Sequence, residues 1–517
     1  MAVLPYRPEV ALDFGQSRWQ TAAGQALQRV RRRLGDSFDL LLGDDWVPTS
    51  DQLVSLNPAH PVEIVGYAAK AGRDQVDRAV DEAWTAFDAW RRVPAPSRAT
   101  CLWQAAAIMR RQRLELDAWE VLEAGKPWSE ADADVAEAID FLEYYGRQMI
   151  RLDRPLDLTP LAGEQDEAFY IPLGVGAVIP PWNFPLAILT GMCSAAIVAG
   201  NAVVLKPASP TPIVAAQFVR IMREAGLPPG VLNFLPGDGG EIGDYLVSHP
   251  RIRFVSFTGS REIGLRISQL AAQPTPGQRW IKRVIAEMGG KDAIIVDETA
   301  EPASAAHGII QSAFGFQGQK CSACSRAIVV DAVYQDVADR LGEAVKELRM
   351  GAPEDFSVAI GPVITREAQD RIVQFIEWGK RHARLLAGGQ ASQNGTGYFV
   401  EPTIFGEVAP GSRLEQEEIF GPVLSMIRAK DWEQALAIAN DTEYGLTGSV
   451  YTRRRDRIQA AREAFQVGNL YINRKCTGAV VGAHPFGGFN MSGTDSKTGS
   501  PDYLLLFLQM KAVAEAF

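Results

Sequence analysis

The sequence predicts an α/β protein with two parallel-sheet domains, and three observations carry that prediction. From Gly176 onward, short apolar runs (GAVIP, AVVLKPA, VLNFLPG, FVSFTGS and IKRVIAEMGG) are separated by helical lengths, the alternation that builds a parallel sheet through helical crossovers. A second series follows in KDAIIVDET, SRAIVVDAV, a helix around Val333 to Leu348, then EPTIFGEV, PVLSMIRAK and VGNLYIN. The third observation is size: 517 residues exceed what one core organises, and a 47% hydrophobic composition can fill two or three.

Ahead of these series, AVDEAWTAFDAW, ATCLWQAAAIMRRQRLELDAWEVLEA and DADVAEAIDFLEYYG place apolar residues three and four apart, which predicts a helical cover over about 72–150. Residues 151–174, RLDRPLDLTPLAGEQDEAFYIPLG, are mixed and proline-rich and read as an extended arm. The tail, DYLLLFLQMKAVAEAF, is a strand left over, suited to pairing with that arm or with another subunit's sheet. Leu186 to Leu205 is nearly uncharged and about long enough to cross a bilayer, but Gly200-Asn201 breaks it into a buried helix followed by the strand AVVLK.

Net charge is −10 with no dense basic run, so nucleic acid is not an expected partner. The N-terminus shows neither a signal nor a transit pattern, and five cysteines, an odd number, suit a reducing compartment, so a cytoplasmic location is expected. Cys321 and Cys324 form a CxxC, yet the other cysteines stand alone and the five histidines show no ligand spacing. No metal site is expected, and Cys324 is assigned to packing.

Chemistry concentrates in Phe314 to Arg326, FGFQGQKCSACSR. Cys321 stands there among small and polar residues beside Lys320, a setting expected to leave the thiol reachable and to favour thiolate. In IPPWNFP, Asn183 follows a strand between Trp182 and Phe184, where its amide can donate to a developing oxyanion. Glu287 ends a strand before two glycines and can serve as general base on water. No GxGxxG follows a strand. Instead, FVSFTGSREIG runs a strand into Gly259-Ser260 and a helix, where backbone N–H groups can meet phosphate, and Lys206 closes AVVLK at the ligand-binding edge. Each motif alone also has an innocent reading as a turn, a strand-ending lysine or a surface glutamate.

Taken together, PWNFP, KPA, FTGS, ExGGK, GQKCSA, EEIFGPV and PFGGF resemble the aldehyde dehydrogenase superfamily, in that family's order and over nearly the whole chain. The resemblance implies a Rossmann-type NAD-binding domain (1–150 and 173–288), a catalytic domain (289–480) and a small β oligomerisation arm (151–172 and 490–517) that assembles a homo-oligomer. It implies that Cys321 attacks an aldehyde to give a thiohemiacetal whose oxyanion is held by Asn183 and the Cys321 N–H. Hydride loss to the nicotinamide leaves a thioester, which water activated by Glu287 hydrolyses. Pro181, Trp182, Lys206, Gly259, Ser260, Glu418 and Phe420 match the family's cofactor contacts. Ser209 stands where the family often has a ribose-binding glutamate, which leaves NADP open beside NAD.

Two segments, FGFQGQKCSAxSR and NRKCTGAVVGAHPFGGFNMSGT, look like the branch of the family that oxidises L-glutamate γ-semialdehyde in proline breakdown. By that likeness Thr477-Gly478-Ala479 and Ser322 offer donors to the substrate carboxylate, Phe184 and Phe486 clamp the aliphatic chain, and Lys320 and Glu137 meet substrate charge. His484 and Cys476 depart from the branch's usual residues. A separate proline dehydrogenase is the expected supplier of substrate. Succinate semialdehyde is the alternative substrate, while an acyl-CoA-forming enzyme and a non-catalytic scaffold are disfavoured by Glu287 and by the retained Cys321 and Asn183.

Overall fold

The computed structural model describes residues 4–392 and 397–517. The first predicted series forms five parallel strands in the spatial order Arg283–Glu287, Phe254–Thr258, Val175–Ile179, Ala202–Leu205 and Leu232–Phe234. Leu40–Leu42 and Asp45–Val47 extend this sheet to seven strands as an antiparallel edge. Both faces are covered, so the central strands are buried along almost their whole length, which explains why they read as unbroken apolar runs. Helices Arg73–Trp90, Ala95–Glu123 and Trp128–Leu152 form the expected cover.

The candidate membrane segment resolves into the buried helix Ala187–Val198 and the strand Ala202–Leu205. Between them Gly200 takes φ +97, and the Asn201 side chain accepts from the Gly174 N–H and donates to the carbonyls of Ala196 and Phe507. Among the described residues no helix is long and apolar enough to cross a membrane.

The second series forms six parallel strands in the order Thr403–Gly406, Val423–Ala429, Cys324–Val330, Asp292–Val296, Thr447–Tyr451 and Asn469–Ile472, with Arg384–Ala387 antiparallel at one edge. Thr447–Tyr451, TGSVY, escaped the sequence reading because it carries only one branched aliphatic residue. A three-stranded sheet of Asp36–Phe38, Gln52–Asn57 and His60–Ala69 was also unforeseen; these half-buried strands are short or interrupted by polar residues and lack a long apolar run.

Arg326 fastens the second sheet to its helices. Its buried guanidinium donates to the carbonyls of Lys291 (2.7 Å), Ile438 (3.1 Å) and Ala439 (2.9 Å) and to Glu415 Oε1 (2.6 Å). Removing one partner of such a pair leaves a buried charge uncompensated. Arg326→Met is therefore expected to lower stability by about 3–5 kcal/mol, read as an earlier midpoint in chemical unfolding.

Glu164–Pro172 pairs antiparallel with Leu508–Ala516 over nine residues, the arm-to-tail pairing that the leftover strand suggested. The ribbon is narrower than the arm expected from sequence. Residues 151 and 152 still belong to the helix Trp128–Leu152, and Tyr503, Leu504 and Phe507 are buried in the first unit's core, because an apolar YLLLF run needs burial that a two-stranded ribbon cannot give.

Candidate active site

In the first sheet the chain runs from Val175–Ile179 outward in one direction and returns on its other side with Phe254–Thr258, so a switch point opens between these two strands. Ligands of open α/β sheets bind in the crevice at the carboxyl ends of such strands. Pro181-Trp182-Asn183 leaves one of them, Gly259-Ser260 leaves the other, and Lys206 follows the neighbouring strand. Ser260 caps the helix Arg261–Ala271 by accepting from the Ile263 N–H. The Gly259 N–H donates to the Glu287 carbonyl at 3.1 Å, so it is not a free phosphate donor as the sequence suggested.

Lys206 is buried, and among the described residues its ammonium meets only the Pro207 carbonyl, at 3.4 Å, while burial lowers its pKa to about 8. An ammonium so poorly partnered suits ribose hydroxyls or phosphate. Ser209 is exposed, and its hydroxyl donates to the Gly237 carbonyl at 3.5 Å. Trp182 meets Phe420 edge-on at 5.6 Å, and Phe420 holds a positive φ of 56°.

Cys321 lies on a loop between the helix Pro302–Phe314 and the strand Cys324–Val330. Phe316, Gln317 and Gly318 take left-handed φ of 49°, 57° and 67°. For the two non-glycine residues that costs about 1–2 kcal/mol each. Buried bonds hold the turn: Gln317 Nε2 donates to the carbonyls of Gly125 and Pro362, and Gln319 Oε1 accepts from the Ile364 N–H. Asn183 Nδ2 donates to the Gln319 carbonyl at 2.9 Å, which ties the switch-point loop to the cysteine loop. One Asn183 amide hydrogen remains free, and the Cys321 N–H has no protein acceptor among the described residues. Gly290 is needed for close approach, since a methyl there would collide with the Cys321 carbonyl.

Cys321 is half-buried, less open than its small neighbours suggested. Burial, and then the carboxylates Asp292, Glu287 and Glu418, push its thiol pKa up. The electropositive setting expected from Lys320 is also corrected. The Lys320 ammonium is engaged by Glu130 at 2.7 and 2.9 Å, so the sequence neighbour does not serve the sulfur. Cys324 is buried against Cys476 in the second unit's core, in keeping with packing.

Glu287 does end the strand Arg283–Glu287, but it is no surface residue. Burial raises its pKa to about 7 against the opposing hydrogen bonds from the Ser496 hydroxyl and the Gly488 N–H. Glu418 accepts from the Gly290 N–H at 2.9 Å, and burial raises its pKa.

At the other end, Thr477 is buried while Gly478 is exposed with φ +76. Cys476 Sγ lies 3.5 Å from the Ser322 carbonyl, so this turn begins beside the residue that follows Cys321. Ser322 itself is buried. Arg474 Nη2 donates to the carbonyls of Thr477 and Gly478, both at 3.0 Å, and His484 Nδ1 accepts from the Val480 N–H to close the next turn. Phe486 and Phe184 are both half-buried, but the ring that Phe184 meets is Phe316, at 6.5 Å, with the Lys126 ammonium 4.5 Å above Phe184. Phe486 is bridged through its backbone to Thr498. Burial, with Asp134 and Asp140, raises the Glu137 carboxyl to about 8.

Glu130, Lys126, Ser496, Arg474 and Lys475 went unread in the sequence. Glu130 and Lys126 carry no local signal, because they reach the site from the helix Trp128–Leu152 and from the connection just before it, far away along the chain. Arg474 and Lys475 were legible as paired cations directly before the Thr477-Gly478-Ala479 turn.

A model of the aldehyde dehydrogenase family matches residues 46–513. The chain is 54% identical to 1-pyrroline-5-carboxylate dehydrogenase of Geobacillus kaustophilus over 515 residues, 100% of both chains. Among solved structures it is similar to the 1-pyrroline-5-carboxylate dehydrogenase from Thermus with bound NAD, at 52% identity, a TM-score of 0.98 and complete coverage of both chains. It also resembles proline utilization A from Bdellovibrio bacteriovorus at 45% identity and a TM-score of 0.97, with 99% of this chain matching 53% of that longer one. The chain belongs to the aldehyde dehydrogenase family.

Proposed function

We propose that the protein oxidises L-glutamate γ-semialdehyde, the open form of 1-pyrroline-5-carboxylate, to L-glutamate. One observation carries this reading: a turn whose Gly478 and Ala479 N–H groups have no protein acceptor among the described residues starts beside the loop of a half-buried cysteine. A substrate with an aldehyde at one end and a carboxylate at the other matches those two ends, and likeness to relatives named for this activity supports the choice.

Cys321 Sγ attacks the aldehyde carbon as the C=O π electrons move onto oxygen, and the thiol proton passes to water at the half-buried sulfur. The free Asn183 amide hydrogen and the Cys321 N–H receive the developing oxyanion, each such donor being worth roughly 3 kcal/mol. Pro181, Trp182, Lys206, Ser209, Gly259, Ser260, Glu418 and Phe420 line the place for a nicotinamide dinucleotide, which supplies the hydride acceptor. The Thermus relative supports NAD, while Ser209 brings no carboxylate against the 2′-phosphate of NADP. Glu287, with a pKa of about 7, draws a proton from the water that hydrolyses the Cys321 thioester. Phe184, Phe486, Ser322, Glu137 and Lys320 shape the substrate's path.

Exposed Met510 and Val513 on a two-stranded ribbon support its use as an oligomerisation arm. Five free cysteines support a reducing compartment such as the cytoplasm. Likeness to half of proline utilization A supports supply of substrate by a proline-oxidising enzyme.

Catalytic efficiency for glutamate semialdehyde is expected to exceed that for succinate semialdehyde and acetaldehyde. A higher efficiency with either competitor overturns the reading.

A further inference from the structure

Arg474 orients the turn at the distal end of the site. In a trans peptide the carbonyl and the following N–H point in opposite directions. Because Arg474 gathers the carbonyls of Thr477 and Gly478 to itself, the N–H groups of Gly478 and Ala479 are turned to the opposite side together. Arg474 is spent in this role, and its guanidinium also lies over the Tyr471 ring at 4.4 Å.

Lys475 is not spent. A methyl added at Gly478 would stand 3.6 Å from Lys475 Nζ, so the ammonium lies at the turn itself. The side chain is half-buried and has no ion-pair or hydrogen-bond partner among the described residues. Its charged surroundings do not satisfy it. Glu130 is engaged by Lys320 through two bonds, and Arg474 is a like charge. Burial first, then Lys320, lowers the Lys475 pKa against the opposing pull of Glu130. Lys320, Lys475 and Arg474 thus outnumber the carboxylate Glu130 and leave positive charge in excess beside the two N–H donors.

We propose that Lys475 determines specificity by pairing with the distal carboxylate of the substrate, while the Gly478 and Ala479 N–H groups fix the direction of that carboxylate. This rests on the glutamate semialdehyde reading and deepens it. Neutral aldehydes gain nothing from the ammonium, and a dicarboxylate without an aldehyde, such as glutarate, gains as much as substrate does.

The test uses the full-length enzyme with NAD, comparing L-glutamate γ-semialdehyde with pentanal, which has the same chain length and no charge. A charge-assisted bond of ordinary strength corresponds to a tenfold effect or more. Lys475→Met is expected to raise KM for glutamate semialdehyde and the inhibition constant of glutarate by about tenfold or more, with kcat changed less than threefold. The preference over pentanal then falls by the same factor, and Lys475→Arg restores part of it. As a readout independent of turnover, glutarate is expected to raise the melting temperature of the unaltered protein and not that of Lys475→Gln. An undiminished preference together with retained glutarate stabilisation overturns the role of Lys475. If the unaltered enzyme shows no preference over pentanal, the functional reading itself falls, and this inference with it.

Discussion

Cys321→Ala is expected to lower turnover by about four orders of magnitude or more, while Cys324→Ala keeps most of it. The two thiols stand three residues apart but in different surroundings. Cys321 is half-buried on the loop that Asn183 touches, next to a backbone N–H with no protein partner. Cys324 begins a strand and is buried against Cys476, with its sulfur 3.5 Å from the Arg326 carbonyl. Losing the Cys324 sulfur leaves a small void costing on the order of 1 kcal/mol, a stability effect and not a chemical one. Steady-state rates and thermal melts of both variants decide the matter. Wild-type turnover in Cys321→Ala, or its loss in a well-folded Cys324→Ala, would remove Cys321 as nucleophile.

Glu287→Gln is expected to slow turnover by about 10²–10⁴-fold and to spare the first half of the reaction. Reduced cofactor should then appear as a burst of about one equivalent per active site, followed by slow release, because acylation of Cys321 does not need the base that hydrolysis needs. The pH dependence follows from a carboxyl whose pKa burial raises to about 7. Only the deprotonated form accepts a proton from water. In the unaltered enzyme the hydrolytic rate should therefore fall about tenfold per pH unit below that value and level off above it. An unshifted glutamate would hold full rate down to about pH 5. The Ser496 hydroxyl bonds and favours the carboxylate, so Ser496→Ala should move the break upward. Absence of the burst in Glu287→Gln, or a rate flat from pH 8 to pH 5 in the unaltered enzyme, contradicts the assignment.

Both parallel sheets were legible because a strand buried on two faces must be apolar along its length, and Ala202–Leu205 or Asp292–Val296 announces itself within a few residues. The break at Gly200-Asn201 was legible for a similar reason, since a left-handed glycine and a capping amide act on their own neighbourhood. Strands buried on one face, such as Gln52–Asn57, left a weaker trace. In the site, the identities of Cys321, Asn183 and Glu287 stood out as a set, but their surroundings did not. Lys320 looked like the thiol's counter-charge because it is adjacent in sequence, and its partner proved to be Glu130, 190 positions away.

By itself the sequence determined where the chain turns, which segments form the two sheets, and which thiol, amide and carboxylate belong to one family's chemistry. Those are properties of neighbouring residues, and period and turn preference act over a few positions. Only the tertiary structure decided which charges pair, which N–H groups stay free, and how burial moves the Cys321 thiol and the Glu287 carboxyl. Desolvation and Coulomb interactions depend on what packs in space, and that information is spread over loops and helices hundreds of residues apart.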